Sequence, residues 1–217
     1  MVFLFLGINV FNAVAQISLH VETPGTLSQM IAENRKHQIK ELTLTGKINS
    51  VDICFIREMC GANVNNYETK GQLEKLNLEG VEIISGGQYF LRVEKIDRFI
   101  TDGNTIPPYL FMKCKQLKEL ILPSNIFTID SKAFAWTELT SITIPPSVTK
   151  FGDNVFSPGL KEMKISNATP PAISNKTFLS ADQGTVFDQK ECTLHVPKGS
   201  RDAYWLTWGF DNIVEEE

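Results

Sequence analysis

Histidine is nearly missing from this chain and cysteine is sparse, with three of the first and four of the second in 217 residues. His20, His37 and His195 are scattered, and Cys54, Cys60, Cys114 and Cys192 never form the paired C-x-x-C of a zinc site, so nothing supports a metal. Neither a G-x-S-x-G elbow nor a phosphate loop occurs, which removes the sequence marks of a serine hydrolase and of a nucleotide-binding enzyme. The expectation is a chain that is not an enzyme, with no catalytic residue and no cofactor. Basic runs are lacking as well. There are 21 Lys and Arg against 25 Asp and Glu, a formal net charge of -4, and no stripe that would track phosphates, so nucleic acid is not an expected partner.

The few cysteines read as free thiols. Cys114 and Cys192 lie in apolar repeat contexts, where a thiol acts as a small hydrophobe. Cys54 and Cys60 are six residues apart on one expected helix, which points their Cβ atoms to different sides. Asp52 and Glu58, on the same helix, read as solvated.

One long hydrophobic run is present, at the start: MVFLFLGINVFNAVAQ. Val2 to Val14 is almost wholly apolar and meets Ala13-Val14-Ala15, the small-x-small pattern that export peptidases cut after. The run is short for a membrane span, and no Lys or Arg precedes it. Residues 1–15 are therefore expected to be a signal peptide, the alternative being a buried N-terminal strand. The mature chain would start near Gln16 or Ile17, without a transmembrane segment. No lipobox cysteine follows, so a lipid anchor is not expected.

Self-similarity dominates the rest. The last apolar residues of successive Leu-x-x-Leu-x-Leu boxes are Leu44, Leu78, Phe99, Leu122, Ile144, Ile165 and Val196, spaced by 34, 21, 23, 22, 21 and 31 residues. Seven residues after each stand Val51, Ser85, Ile106, Ile129, Phe151, Ala172 and Ala203. Five further come Ile56, Phe90, Phe111, Phe134 and Phe156, then Phe178 one residue late, and Trp208. All seven of this last set are apolar where 42% hydrophobic content gives about three by chance, so the register is real. In LKELIL, Leu120 and Leu122 point one way and Glu119 and Ile121 the other, the alternation of a strand. A lone strand cannot bury its apolar side, but stacked units can share one interior, with leucines on one wall and Phe on the other. Pro123, Pro145 and Pro146 end the strands because proline lacks a donor. IDSKAF and FGDNVF then read as short helical or 3₁₀ turns.

Unit lengths near 21–23 residues are those of leucine-rich repeats. The expected fold is thus an α/β solenoid: a right-handed coil with a parallel sheet on one face, short helices or 3₁₀ turns on the other, a helical N-terminal cap and a C-terminal cap unit. TPGTLSQMIAENRKHQ predicts one helix, capped by Thr23 or Thr26, with Leu27, Met30 and Ile31 on one face covering the open edge beside IKELTL. A second helix runs from Val51 to Met59. The division that follows is 16–72 for the N-terminal cap and first unit, 73–166 for the central repeats and 167–217 for the closing unit.

LKELILPSNIFTIDSKAFAWTELTSITIPPSVTKFGDNVF, together with ATPPAI and CTLHVPKGSRDAYWLTWGFDNIVE, resembles the BspA-like leucine-rich repeat proteins of bacterial cell surfaces. TPGTLSQMI and IKELTLTGKINSVDICFIREM are similar to the N-terminal unit of secreted members. The resemblance implies export and surface display, with adhesion as the role; the expectation is a binding or adhesion module for an extracellular protein or glycan, located at the cell surface, outside the cell or in the periplasm, and a monomer. The alternative is a structural subunit of a cell-envelope assembly with no ligand of its own.

Candidate ligand residues are those expected on the outward strand face: Glu41, Thr43, Lys75, Asn77, Glu119, Ile121, Ser141, Thr143, Glu162 and Lys164. The face is polar, mixed in sign and without Trp, Tyr or Arg anchors, so the plainer alternative is a solvated sheet surface. In the C-terminal aromatic cluster Trp208 falls in the Phe register and should be buried, whereas Trp205 is a candidate ligand-binding residue if exposed. His195 alternates outward.

Overall fold

The computed structural model describes residues 15–93, 97–101, 103–179 and 187–217. The expected signal peptide lies outside the described residues but for its last position. The chain enters as β1 (Ala15–Val21), followed by α1 (Leu27–Met30), α2 (Glu33–Lys36), β2 (Ile39–Ile48), α3 (Ser50–Met59) and β3 (Lys75–Ile83). Next come β4 (Gly86–Val93), β5 (Asp97–Thr101), β6 (Thr105–Ile106), β7 (Glu119–Ile121), β8 (Thr128–Ile129), β9 (Ser141–Ile144) and β10 (Lys150–Phe151). The remainder is β11 (Glu162–Ile165), β12 (Thr193–Pro197), α4 (Arg201–Trp208) and β13 (Ile213–Glu216).

An eight-stranded sheet runs β1-β2-β3-β7-β9-β11-β12-β13, in chain order, and its pairings are parallel. Parallel neighbours in chain order require each connection to travel around the coil and return beside its own start, which is a solenoid-like fold. The inward rows follow the period of two: Leu42, Leu76, Leu120, Ile142, Met163 and Leu194 are buried and stand opposite one another. Leu44, Leu78, Leu122, Ile144, Ile165 and Val196 form the second buried row.

Across the interior stands the aromatic wall. Phe111 and Phe134 stack at 6.1 Å, Phe134 and Phe156 at 6.0 Å, and Phe156 and Phe178 at 5.7 Å, with ring planes 11–27° apart. Between the two walls Ile106, Ile129 and Phe151 are buried, and their backbones form a narrow parallel ladder, β6-β8-β10. The segments expected as short helices between the repeat strands are hydrogen-bonded turns attached to this ladder. Each turn donates to the next coil, as in Phe111 N–H to Ala133 O at 2.8 Å and Phe134 N–H to Val155 O at 3.0 Å.

The expected strand ending at Phe99 is not in the sheet. β3 pairs directly with β7, and β4 and β5 form an antiparallel hairpin in which Leu91 faces Phe99. Gly86 and Gly87, with φ of 109° and 84°, turn the chain away after β3. An antiparallel partner is then nearer than the next sheet position. The chain rejoins the pattern at Ile106 and Phe111, so that unit keeps its return half and loses its strand.

The single helix expected over 23–38 is two four-residue helices, because Ile31 between them is extended (φ -117°, ψ 115°). That conformation buries Ile31 beside Leu27 and leaves Met30 40% exposed, off the expected face. The edge beside β2 is covered by β1, which pairs with it along its length. The helix expected from Val51 is present as α3, with Ile53, Ile56 and Met59 buried. Asn49 and Asp52 cap it reciprocally.

Asp52 is not solvated. It is 1% exposed and accepts from the N–H groups of Gly25 (2.6 Å), Leu27 (3.0 Å) and Asn49 (3.0 Å), tying the loop before α1 to α3. Glu58 is partly exposed and accepts from Lys36 at 2.5 Å.

Candidate binding surfaces

Strand alternation sends to the outside whatever lies between the buried leucines. The strand register assembles the ten candidates into two rows. Glu41, Lys75, Glu119, Ser141 and Glu162 are successive cross-strand neighbours, as are Thr43, Asn77, Ile121, Thr143 and Lys164. None is buried. β1 extends the rows with Gln16 and Ser18, and β12 with Thr193 and with His195, whose outward position was expected though it was not among the candidates.

Charges along the rows alternate and pair. Lys75 bonds Glu119 at 2.9 Å, which raises the lysine above its ordinary range. At the far end His195 lies between Glu162 and Glu216, 3.1 Å from each. Lys164 also bonds Glu216, and that bond holds the Glu216 carboxyl below the usual carboxylate range. A shallow hollow of about 170 Å³ lies over Gln16, Glu41, Thr43, Lys75, Asn77, Glu119 and Ile121. Such a surface offers donors, acceptors and charges of both signs at the strand spacing, with Ile121 as its apolar contact.

The C-terminal aromatics divide as their positions predict. Trp208 is 4% exposed, donates from Nε1 to Pro171 O at 3.1 Å, and meets Tyr204 and Phe151 edge-on. Tyr204 is buried, donates to Asn167 O at 2.8 Å, and burial pushes its phenol well up. Trp205, on the same helix, is 55% exposed beside Leu206 at 73%.

A second group of residues had no place in the sequence reading. Arg57 of α3 is 0% exposed, with Nη1 donating to Leu110 O (2.6 Å) and Tyr109 O (3.3 Å), and Nη2 to Met112 O (3.2 Å) and Asn66 Oδ1 (2.9 Å). Asn66 in turn lines a hollow of about 300 Å³ with Gly61, Glu68, Lys113, Lys115 and Trp136. One signal was available for Arg57: it lies four residues after Ile53, on the buried face of the helix. The four cysteines are free, and burial pushes the thiol of the buried Cys60 well up. Among the described residues no three His, Cys, Asp or Glu side chains come together to hold a metal ion, and no helix is long and apolar enough to cross a membrane.

Residues 88–187 match the family model described as "BspA type Leucine rich repeat region", in six copies. No curated protein matches the chain. Among solved structures, "The Crystal structure of Pneumococcal vaccine antigen PcpA" aligns at 16% identity over 91% of this chain and 68% of that one. Its TM-score of 0.29 is too low for the likeness to support a conclusion about fold or function.

Proposed function

We propose, from the BspA-type leucine-rich repeats that occupy residues 88–187, that this chain is a non-enzymatic binding module whose outward strand rows hold an extracellular protein or glycan. The repeat type is one used for protein interaction. The observation that supports this use most directly is the cross-strand alignment of Glu41, Lys75, Glu119, Ser141 and Glu162, with Thr43, Asn77, Ile121, Thr143 and Lys164 beside them. Rows built this way present one continuous surface to a partner, the means by which solenoids bind. In this reading the chain is exported and displayed at the bacterial surface, released outside it or held in the periplasm. It acts as a monomer, with the N-terminal helices and the C-terminal unit closing the coil, and Trp205 is an accessory contact.

Arrays of extracellular-matrix proteins and of glycans, probed with the folded chain, test this. A hit that weakens about tenfold or more on exchanging Lys75 and Glu119 (Lys75→Glu with Glu119→Lys), at unchanged melting temperature, supports the strand rows. A folded sample with no hit on either array defeats the proposal. The alternative, a subunit of an envelope assembly, draws on β1 and β13, the two ends of the sheet, each paired on one side among the described residues. Size-exclusion showing a monomer at every concentration would sink that alternative.

A further inference from the structure

The hollow beside Arg57 gathers chemistry for which the strand rows have no use. Its lining comes from turns and loops, not from strands of the sheet. Lys113 and Lys115 enter none of the ion pairs among the described residues, and neither does Glu68. Behind them the guanidinium of Arg57 is fully buried, and its bonds go to carbonyls and to the amide oxygen of Asn66, with no carboxylate partner. Buried charges are ordinarily paired. Three cations and one carboxylate therefore share this place in a chain whose net charge is -4.

Trp136 is the second observation. It is half-buried at the hollow and its φ is 56°, the left-handed region that a bulky side chain occupies at a cost. Lys113, the matching turn position one coil earlier, has φ 62°. Glycine or asparagine would suit both backbones better; Trp136 offsets that cost in part by packing one side of its ring against the core, and its remaining surface lines the hollow. The volume, about 300 Å³, is at the small end for ligand sites and suits one ring with its substituents.

We infer that this hollow binds an acidic sugar, a saccharide ring carrying a carboxylate. The ring lies against Trp136, the carboxylate is held by Lys113 and Lys115, and hydroxyls bond Glu68 and Asn66. A poly-acidic peptide fits less well, because Glu68 repels a second carboxylate while it accepts readily from hydroxyls. The site is separate from the strand rows and does not depend on what they hold.

Calorimetric titration of the full chain tests it, with sialyllactose and galacturonic acid as single-carboxylate probes, lactose as the neutral counterpart and hexaglutamate as the acidic peptide. The acidic saccharides should bind about tenfold or more tighter than lactose, and added salt should weaken them. Trp136→Gly, which suits the backbone but gives up the ring's packing on the core, should lose about tenfold or more in a chain that calorimetry shows still folded. Lys113→Ala with Lys115→Ala, both exposed, should lose as much and remove the salt dependence at an unchanged melting temperature. Exchanging Lys75 and Glu119 should leave this binding untouched. The proposal is overturned if no acidic saccharide binds, if lactose binds equally, if hexaglutamate binds more tightly, or if the Trp136 and lysine variants bind like wild type. Saccharide binding lost on the Lys75–Glu119 exchange, and not with Trp136→Gly, would overturn this site and support the strand rows instead.

Discussion

Replacing Arg57 by methionine asks whether a charge buried without a carboxylate holds α3 to the turns of the repeat array. Four oxygens receive its two terminal nitrogens: those of Tyr109, Leu110, Met112 and the Asn66 side chain. Tyr109 O keeps another donor in the substituted protein, the N–H of Met112 at 3.0 Å, while Leu110 O and Met112 O have no other donor among the described residues. Two buried carbonyls without donors cost about 1–3 kcal/mol each. Against this, methionine removes an ion whose burial costs several kcal/mol unless its donors are satisfied. Here Nε alone lacks a partner, so most of the lost hydration has been regained. The carbonyl cost should win, by about 3 kcal/mol, which lowers the melting temperature by roughly 6–12 °C in a domain of this size. Arg57→Lys keeps the charge without the planar fork and should lose about half as much. Guanidinium titration and calorimetry measure both, and amide exchange should locate the loosening at Leu110 to Cys114. An Arg57→Met protein as stable as wild type would mean that desolvation of the ion outweighs all four bonds.

Phe134→Ala removes the middle ring of the aromatic wall, 6.1 and 6.0 Å from its neighbours and fully buried, and should cost about 3–5 kcal/mol in denaturant titration. A loss under about 1 kcal/mol would show that the coil does not depend on the stack. Glu216 supplies the pH test. Its folded pKa is depressed, so its contribution is present above the unfolded value and disappears as pH falls through the folded one. Exchange protection of β13 should hold at neutral pH and decline below the ordinary carboxylate range, and Glu216→Gln should abolish that dependence. Identical pH profiles for the two proteins would rule out this ion pair as the cause.

What repeats in this chain is legible because repetition is forced by packing. A coil that must share one interior with its neighbours cannot vary Leu122, Ile144 and Ile165, or Phe111, Phe134 and Phe156, without opening a cavity. Spacing alone therefore placed them. The strand ending at Phe99 misled because the repeat length to Phe99 is kept while Val93 and Ile96 sit one residue out of the box, and two glycines with positive φ before it turn the backbone out of the sheet. Asp52 was half legible. Asn49-Ser50-Val51-Asp52 carries a capping signature, but two of the three donors that bury the carboxylate come from Gly25 and Leu27, which no local pattern links to it.

The hollow was illegible for the opposite reason. Two residues after the wall phenylalanines stand Lys113, Trp136 and Pro158, three residue types with nothing in common. Two residues before them stand Tyr109, Lys132 and Asn154, all with positive φ. The backbone before the rings thus recurs, whereas after them only Lys113 and Trp136 share the left-handed conformation, and the side chains do not recur. Left-handed geometry costs a non-glycine residue about 1–2 kcal/mol, yet Tyr109, Lys113, Lys132 and Trp136 all adopt it at these turns. Of these, Lys113 and Trp136 line the hollow at adjacent coils, beside a guanidinium with no carboxylate partner. In a protein whose interior is written by recurrence, chemistry specific to this chain belongs where the recurrence fails, and the turns around Trp136 are such a place.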